Sequence, residues 1–123
     1  MSVNVPISIG ELWDKFSILQ IKLENIKDHT KISFVNNEIN KLSKIINQYS
    51  YEDDILFNNL LSVNKSLWNI ENNIRLKEKY KQFDSEFIDL ARSVYNFNDK
   101  RSKIKNLINI KFNSNINEVK EYN

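Results

Sequence analysis

The sequence predicts an all-α fold: a four-helix up-and-down bundle containing a coiled-coil-like antiparallel hairpin. Three observations predict it. Pro6 and Gly10 are the one proline and the one glycine of the chain, so no strong helix breaker follows residue 10. Apolar residues recur in alternating steps of three and four, the spacing of a helix that packs lengthwise on another. No segment alternates with period two for long enough to predict a strand.

Helix one is predicted to begin after Ser8, which fits the N-cap position. Glu11 then closes a capping box, and Ile7 and Leu12 form a hydrophobic staple. The helix is expected to end near Asp28. Three apolar residues lie outside the main seam, which is the stripe of apolar residues at steps of three and four. They predict that the helix buries a second side and therefore lies at the centre of the domain. They are Trp13, Ile18 and Ile21.

Helix two is predicted to follow Thr30 as its N-cap. A short turn over residues 28–30 makes helices one and two an antiparallel hairpin. Helix three is predicted from Leu56 to Ile74, with an exposed end through Lys81.

Helix four is predicted to start at the N-cap Asp84, with a staple between Phe83 and Ile88. Its seam keeps the helical spacing as far as Phe112, which favours one long helix. A break at residues 98–99 is the alternative.

The length predicts a single domain over residues 1–123, and the short polar sequence at its end predicts a loosely held tail over about 114–123. The absence of cysteine excludes disulfides and thiolate metal sites and agrees with a cytoplasmic location. No apolar run approaches the length of a membrane span, so we expect no membrane insertion. Basic and acidic residues are interspersed and leave a net charge of +2, which disfavours nucleic acid as a partner.

No set of residues in the sequence demands one chemistry. There is no Gly-rich phosphate loop and no nucleophile elbow, and the single histidine, His29, has no Glu-x-x-His arrangement around it. We therefore expect no cofactor and no metal. Polar and charged residues cluster on three helices and form either a ligand site or structural ion pairs. These candidates are Glu11, Asp14 and Lys15 on helix one, Asn64, Trp68, Glu71 and Arg75 on helix three, and Arg92, Tyr95, Asn98, Asp99 and Arg101 on helix four.

Arg101 is the most conspicuous of these residues, because it occupies a seam position of helix four. Its guanidinium is expected to point toward the bundle interface, where burial without a partner is costly. A carboxylate from helix one or three should therefore meet it. The candidates are Glu11, Asp14 and Glu71, and a structural ion pair is the favoured interpretation.

Three segments of the chain, residues 5–24, 63–75 and 90–101, resemble a small bacterial family catalogued as a domain of unknown function. The motifs that carry the resemblance are P-I-S-x-G-E-L-x-D-K, L-W-x-I-E-x-x-I-R and A-R-S-V-Y-x-x-N-D. The likeness extends to the tail Glu-Val-Lys-Glu-Tyr, whereas residues 30–62 share only the helical pattern. The resemblance implies an association with glycosyltransferase-like proteins of surface-polysaccharide assembly, and it implies no reaction.

Two functions follow from the sequence. The favoured one is a non-enzymatic helical accessory or interaction protein, whose partner is another protein or a second copy of the chain. The alternative is a small anionic ligand held inside the bundle, in the style of chorismate mutases. In that case Lys15, Arg75, Arg92 and Arg101 clamp the anion, while Glu11, Glu71 and Asp99 orient the clamps or act on the substrate.

Overall fold

In a computed structural model, which describes residues 1–114, the chain forms a bundle of four α-helices. They are α1 (Ile9–Asn25), α2 (His29–Ile46), α3 (Ile55–Lys79) and α4 (Ser85–Lys111). These residues contain no strand, so the predicted all-α fold is confirmed. The predicted loose tail falls almost entirely on residues 115–123, outside the described residues.

α1 is the central helix, because it packs against all three others, whereas α2 packs against α1 alone among the helices described. From Gly10 to Asp14 on α1, the hydrogen-bonding partners on α4 run backward from Asn109 to Arg101. α1 and α4 are therefore antiparallel. The central position predicted for helix one is confirmed.

The turn between α1 and α2 differs from the prediction. Asp28 is the N-cap of α2, and its carboxylate accepts a hydrogen bond from the Lys31 backbone N–H at 3.1 Å. The prediction of Thr30 was wrong: both residue types cap helices well, so local sequence does not separate them. α1 ends at Asn25, earlier than predicted, and His29 is the first residue of α2.

α4 is one continuous helix through residues 98–99, as the seam spacing favoured. Its predicted N-cap is confirmed, since Asp84 accepts the Phe87 N–H at 3.0 Å. The predicted Phe83–Ile88 staple was wrong, because both side chains are more than half exposed. The ring of Phe83 instead packs edge-to-face on Phe87, with 5.3 Å between centroids.

The core lies at the end of the bundle where α1 and α3 begin and α2 and α4 end. Trp13 is fully buried there, with edge-to-face contacts to Phe57 at 5.7 Å and Phe112 at 5.1 Å. Beyond Asn64 no residue of α3 is buried, and no residue of α4 is buried before Lys105. The far half of the α3–α4 hairpin is therefore a lightly packed two-helix arm.

An ion pair fastens the end of α4 to the start of α3. Asp54, the N-cap of α3, accepts the Leu56 N–H at 2.7 Å and pairs with the ammonium of Lys111. Burial acts to raise the pKa of the Asp54 carboxyl, but hydrogen bonds from Lys111 and from backbone amides outweigh it. The net result is a pKa below the ordinary value of 3.8.

We predict that Asp54→Asn lowers the free energy of unfolding at neutral pH by about 1 kcal/mol, because asparagine keeps the cap but removes the charge. Since the folded-state pKa is depressed, the contribution of Asp54 is complete above 3.8 and is lost as pH falls through the folded value. The free energies of unfolding of variant and wild type, measured by urea titration, should therefore converge as the pH is lowered from neutral to acidic. Asp53→Asn, at an exposed neighbour, is the control and should not change the free energy of unfolding at any pH. A difference between Asp54→Asn and wild type that stayed the same in acid would contradict this account.

Candidate functional site

A network of buried polar side chains joins α1, α3 and α4 beside the core. Its centre is Asp14, which is 1% exposed. The Asp14 Oδ1 atom accepts hydrogen bonds from Asn64 Nδ2 at 2.9 Å and from Arg101 Nε at 2.8 Å. Arg101 Nη2 donates to the second carboxylate oxygen, so the pair is bidentate. Of the three candidate carboxylates, Asp14 pairs with Arg101, whereas Glu11 and Glu71 do not.

Ser17 completes the α3 side of this network. Asn64 Nδ2 also donates to Ser17 Oγ at 2.7 Å, and Ser17 Oγ donates to the backbone carbonyl of Asp14 at 2.7 Å. A carboxylate can only accept, so the Asn64 nitrogen must be the atom facing Asp14. The Asn64 oxygen consequently points away from the carboxylate.

A second layer of contacts ties α1 to the last turns of α4. Lys105 Nζ donates to Glu11 Oε2 at 2.7 Å and lies 3.8 Å from Asp14 Oδ2. The backbone N–H of Gly10 donates to Asn109 Oδ1 at 2.7 Å. The capping box is therefore half formed: Ser8 Oγ accepts the Glu11 N–H at 3.0 Å, whereas the Glu11 carboxylate is directed to Lys105.

An open groove of about 530 Å³ lies between α1, α3 and α4, next to the buried network. The α3 residues that line it follow one another at steps of three, one, three, one and three from residue 64 to residue 75, so they share one helix face. The apolar wall is formed by Ile18, Ile21 and Leu67. The polar and aromatic lining is formed by Asn64, Trp68, Glu71, Asn72, Arg75, Asn98 and Arg101.

Glu71 and Arg75 face this groove without an ion pair to any residue in 1–114, although they are one helical turn apart. The indole nitrogen of Trp68 likewise has no acceptor there. Arg101 differs from them, since its guanidinium is held by Asp14 and its Nη1 lies 3.5 Å from Asn98 Oδ1. The groove thus presents a carboxylate, a guanidinium and an indole whose hydrogen-bonding groups have no partner among residues 1–114.

The remaining sequence candidates lie elsewhere. Lys15 pairs with Glu38 of α2 at 3.4 Å and lines a smaller pocket of about 230 Å³ on the other side of Arg101. Arg92, Tyr95 and Asp99 are exposed residues of α4 that line neither space. The structure therefore does not bring Arg92 or Lys15 to the groove that holds Arg75.

A comparison with known protein families shows which family this chain belongs to. The sequence model of a family described as a family of unknown function (DUF6165) matches residues 3–123. The chain belongs to this family. No curated protein and no solved structure matches it. The DUF6165 match therefore supplies a relationship over nearly the whole chain and no biochemical role.

The sequence analysis did not single out three residues of the buried polar network of this DUF6165 chain. They are Ser17, Lys105 and Asn109. A signal for two of them was present, because Arg101, Lys105 and Asn109 follow one another at steps of four and so share a face of α4. Gly10, Asp14 and Ser17 form the matching stripe on α1. Two polar stripes of this kind, each beside an apolar seam, predict a buried polar contact between the helices.

Two further features of the DUF6165 chain concern metal ligands and the hydropathy of its helices. Within residues 1–114 no group of three or more His, Asp or Glu side chains is arranged to hold a metal ion. Among the four helices described, none combines the length and the apolar character that crossing a membrane requires.

Proposed function

We propose that the chain is a cytoplasmic, non-enzymatic accessory protein that binds a small polar ligand in the groove between α1, α3 and α4. One contrast supports the proposal. The charges of the buried network are paired with one another, whereas Glu71 and Arg75 face the open groove and form no ion pair with any described residue. A rigid set of fixed charges beside a set of unused ones is typical of a site that holds a ligand in a defined orientation.

The groove charges favour a different ligand from the anion considered on sequence grounds. Arg101 is neutralised by Asp14 beneath it, and Arg75 shares the groove with Glu71. The formal charges of these groups cancel, so the groove has no excess of positive charge to attract an anion. Arg92 and Lys15, the other proposed clamps, lie outside it. A ligand without net charge agrees better with this arrangement.

The resemblance to a family found beside glycosyltransferase-like proteins supports a role for this accessory protein in surface-polysaccharide assembly. Binding without reaction also agrees with the ion pairs of Asp14 with Arg101 and of Glu11 with Lys105, since these charged groups are bound to one another.

The proposal is tested by nuclear magnetic resonance on the ¹⁵N-labelled chain. Sugars, amino acids and carboxylic acids are added in turn, and chemical shifts of the Trp68 indole and of the groove amides are followed. At least one compound should shift these signals and remain chemically unchanged. Arg75→Ala should weaken its binding about tenfold or more, the loss typical of one charged hydrogen bond.

The matched control is Arg92→Ala, which removes an exposed arginine outside the groove and should leave the affinity unchanged. Binding that survives Arg75→Ala, or conversion of the bound compound by the wild-type chain, would count against the proposed function. The complete absence of groove shifts across the set would reject it.

Self-association is a second candidate function, favoured by the two-helix arm of α3 and α4. Large apolar side chains of this arm are more than half exposed: Leu76, Tyr80, Phe83 and Ile88. All four lie within residues 76–88, and exposed apolar side chains that gather into one large patch mark interfaces. Light scattering at rising protein concentration tests it, and a constant monomer mass would reject a second copy as the partner.

A further inference from the structure

The chemistry of the groove narrows the ligand class beyond a small polar molecule. Its volume of about 530 Å³ lies within the range of roughly 300–1,000 Å³ that small-molecule sites occupy. One wall is apolar, through Ile18, Ile21 and Leu67, and the half-buried Trp68 adds an aromatic surface. The ligand should therefore have an apolar face as well as polar groups.

Asn64 contributes an acceptor that no donor in the described part of the chain occupies. The side chain is 4% exposed, and its Nδ2 atom is committed to Asp14 and Ser17. Its Oδ1 atom accepts no hydrogen bond from any residue in 1–114. Trp13 Nε1 is the one fully buried side-chain nitrogen or oxygen of these residues that lacks a partner, so Asn64 Oδ1 keeps contact with solvent. Because Asn64 lines the groove, a ligand donor can reach this oxygen there.

The unused groups of the groove include both donors and acceptors. Asn64 Oδ1 and the Glu71 carboxylate accept, Arg75 and the Trp68 indole donate, and the Asn72 amide does both. A carboxylate ligand would satisfy the donors and face Glu71 with a like charge. A zwitterion would satisfy Glu71 and Arg75 but would leave the amide groups unmatched. Hydroxyl groups both donate and accept, so several hydroxyls on one ring match the whole set.

We infer that this groove binds a neutral sugar ring, a hexopyranose. The C–H face of the ring lies against the apolar wall and Trp68, whose ring face is electron-rich and attracts C–H edges. The hydroxyl groups of the opposite edge reach Glu71, Arg75 and the groove amides. This inference rests on the proposed function, since it names the ligand class of the same site.

The test uses the indole signals of the ¹⁵N-labelled full chain. The chain has two tryptophans, and Trp68→Phe identifies which of the two signals belongs to the groove. The probes are methyl glucopyranoside, methyl galactopyranoside and N-acetylglucosamine, compared with glucuronate and with alanine. At least one neutral pyranoside should shift the Trp68 signal, with a dissociation constant on the order of 1 mM. Glucuronate and alanine should bind at least tenfold more weakly.

Glu71→Gln should weaken the pyranoside about tenfold, because it removes a charged acceptor at an exposed position where folding is not at risk. Glu78→Gln, at another exposed glutamate of α3, is the control and should not change the affinity. Groove shifts with glucuronate or alanine alone would overturn the sugar inference and leave the binding function standing. No groove shift with any small molecule would overturn both.

Discussion

Replacing Arg101 by methionine is expected to lower the free energy of unfolding by about 3–5 kcal/mol, one of the two largest single-residue effects that this structure predicts. The reason is the burial of its partner. Asp14 is 1% exposed and receives three hydrogen bonds, two of them from Arg101. The variant leaves that carboxylate with Asn64 and with the more distant Lys105, 3.8 Å away. Urea unfolding followed by circular dichroism measures the loss.

A double variant separates the free-energy cost of the unpaired buried charge from the other effects of Arg101→Met. In the Arg101→Met background, Asp14→Asn removes the uncompensated carboxylate and should recover more than half of the lost stability. Lys103→Met is the matched control, because it places methionine at an exposed position of the same helix. A loss below about 1 kcal/mol for Arg101→Met would contradict a buried, fold-determining ion pair and would match an exposed one.

The parts of the fold that the sequence predicted depend on interactions between residues close together in the chain. The Ser8 and Asp84 caps accept hydrogen bonds from residues three positions later, and the seams repeat within each turn. The error at Thr30 has the same origin. Asp28 and Thr30 are both good caps within two positions of each other, and the choice between them follows from where α1 ends.

The buried network illustrates what the sequence alone could not supply. Lys105 meets Glu11 across 94 positions, and Asn109 meets Gly10 across 99. A lysine seven residues before the end of an apolar seam is ordinarily solvated, so the burial of Lys105 depends on the rotation of α4 against α1. The sequence predicted that Arg101 would need a carboxylate. It could not decide among Glu11, Asp14 and Glu71, because that choice is set by the relative translation of three helices.

The groove also depends on how α1, α3 and α4 are placed relative to one another. Asn64, Trp68, Glu71 and Arg75 were predictable as one face of α3 from their spacing. The sequence could not show whether Glu71 and Arg75 pair with each other, as residues one turn apart often do. Arg92 and Asp99 belong to the same segment of α4 as Arg101 but point elsewhere, since positions that differ by two or by nine residues lie on different sides of a helix.

Gly10→Ala is the second substitution with a large expected effect, and its sign is unusual for a helix. An added methyl group normally favours a helix by up to about 1 kcal/mol. Here the new Cβ would lie 2.6 Å from the carbonyl oxygen of Lys105 and 2.8 Å from Asn109 Oδ1. The first of these is backbone and cannot rotate away, so α1 and α4 must separate. We expect a loss of about 3 kcal/mol, from overpacking and from the weakened Gly10–Asn109 hydrogen bond.

The close approach at Gly10 also sets the geometry of the ion pairs, because Glu11 and Asp14 follow it on the same helix. If α1 moves outward, both carboxylates move away from Lys105 and Arg101. Asn109→Ala is therefore the informative comparison: it removes the hydrogen bond without forcing the helices apart, and should cost less than Gly10→Ala. Ser33→Ala, at an exposed site in α2, should be neutral or slightly stabilising. Stabilisation by Gly10→Ala, measured by the same urea titration, would mean that the two helices do not approach each other this closely.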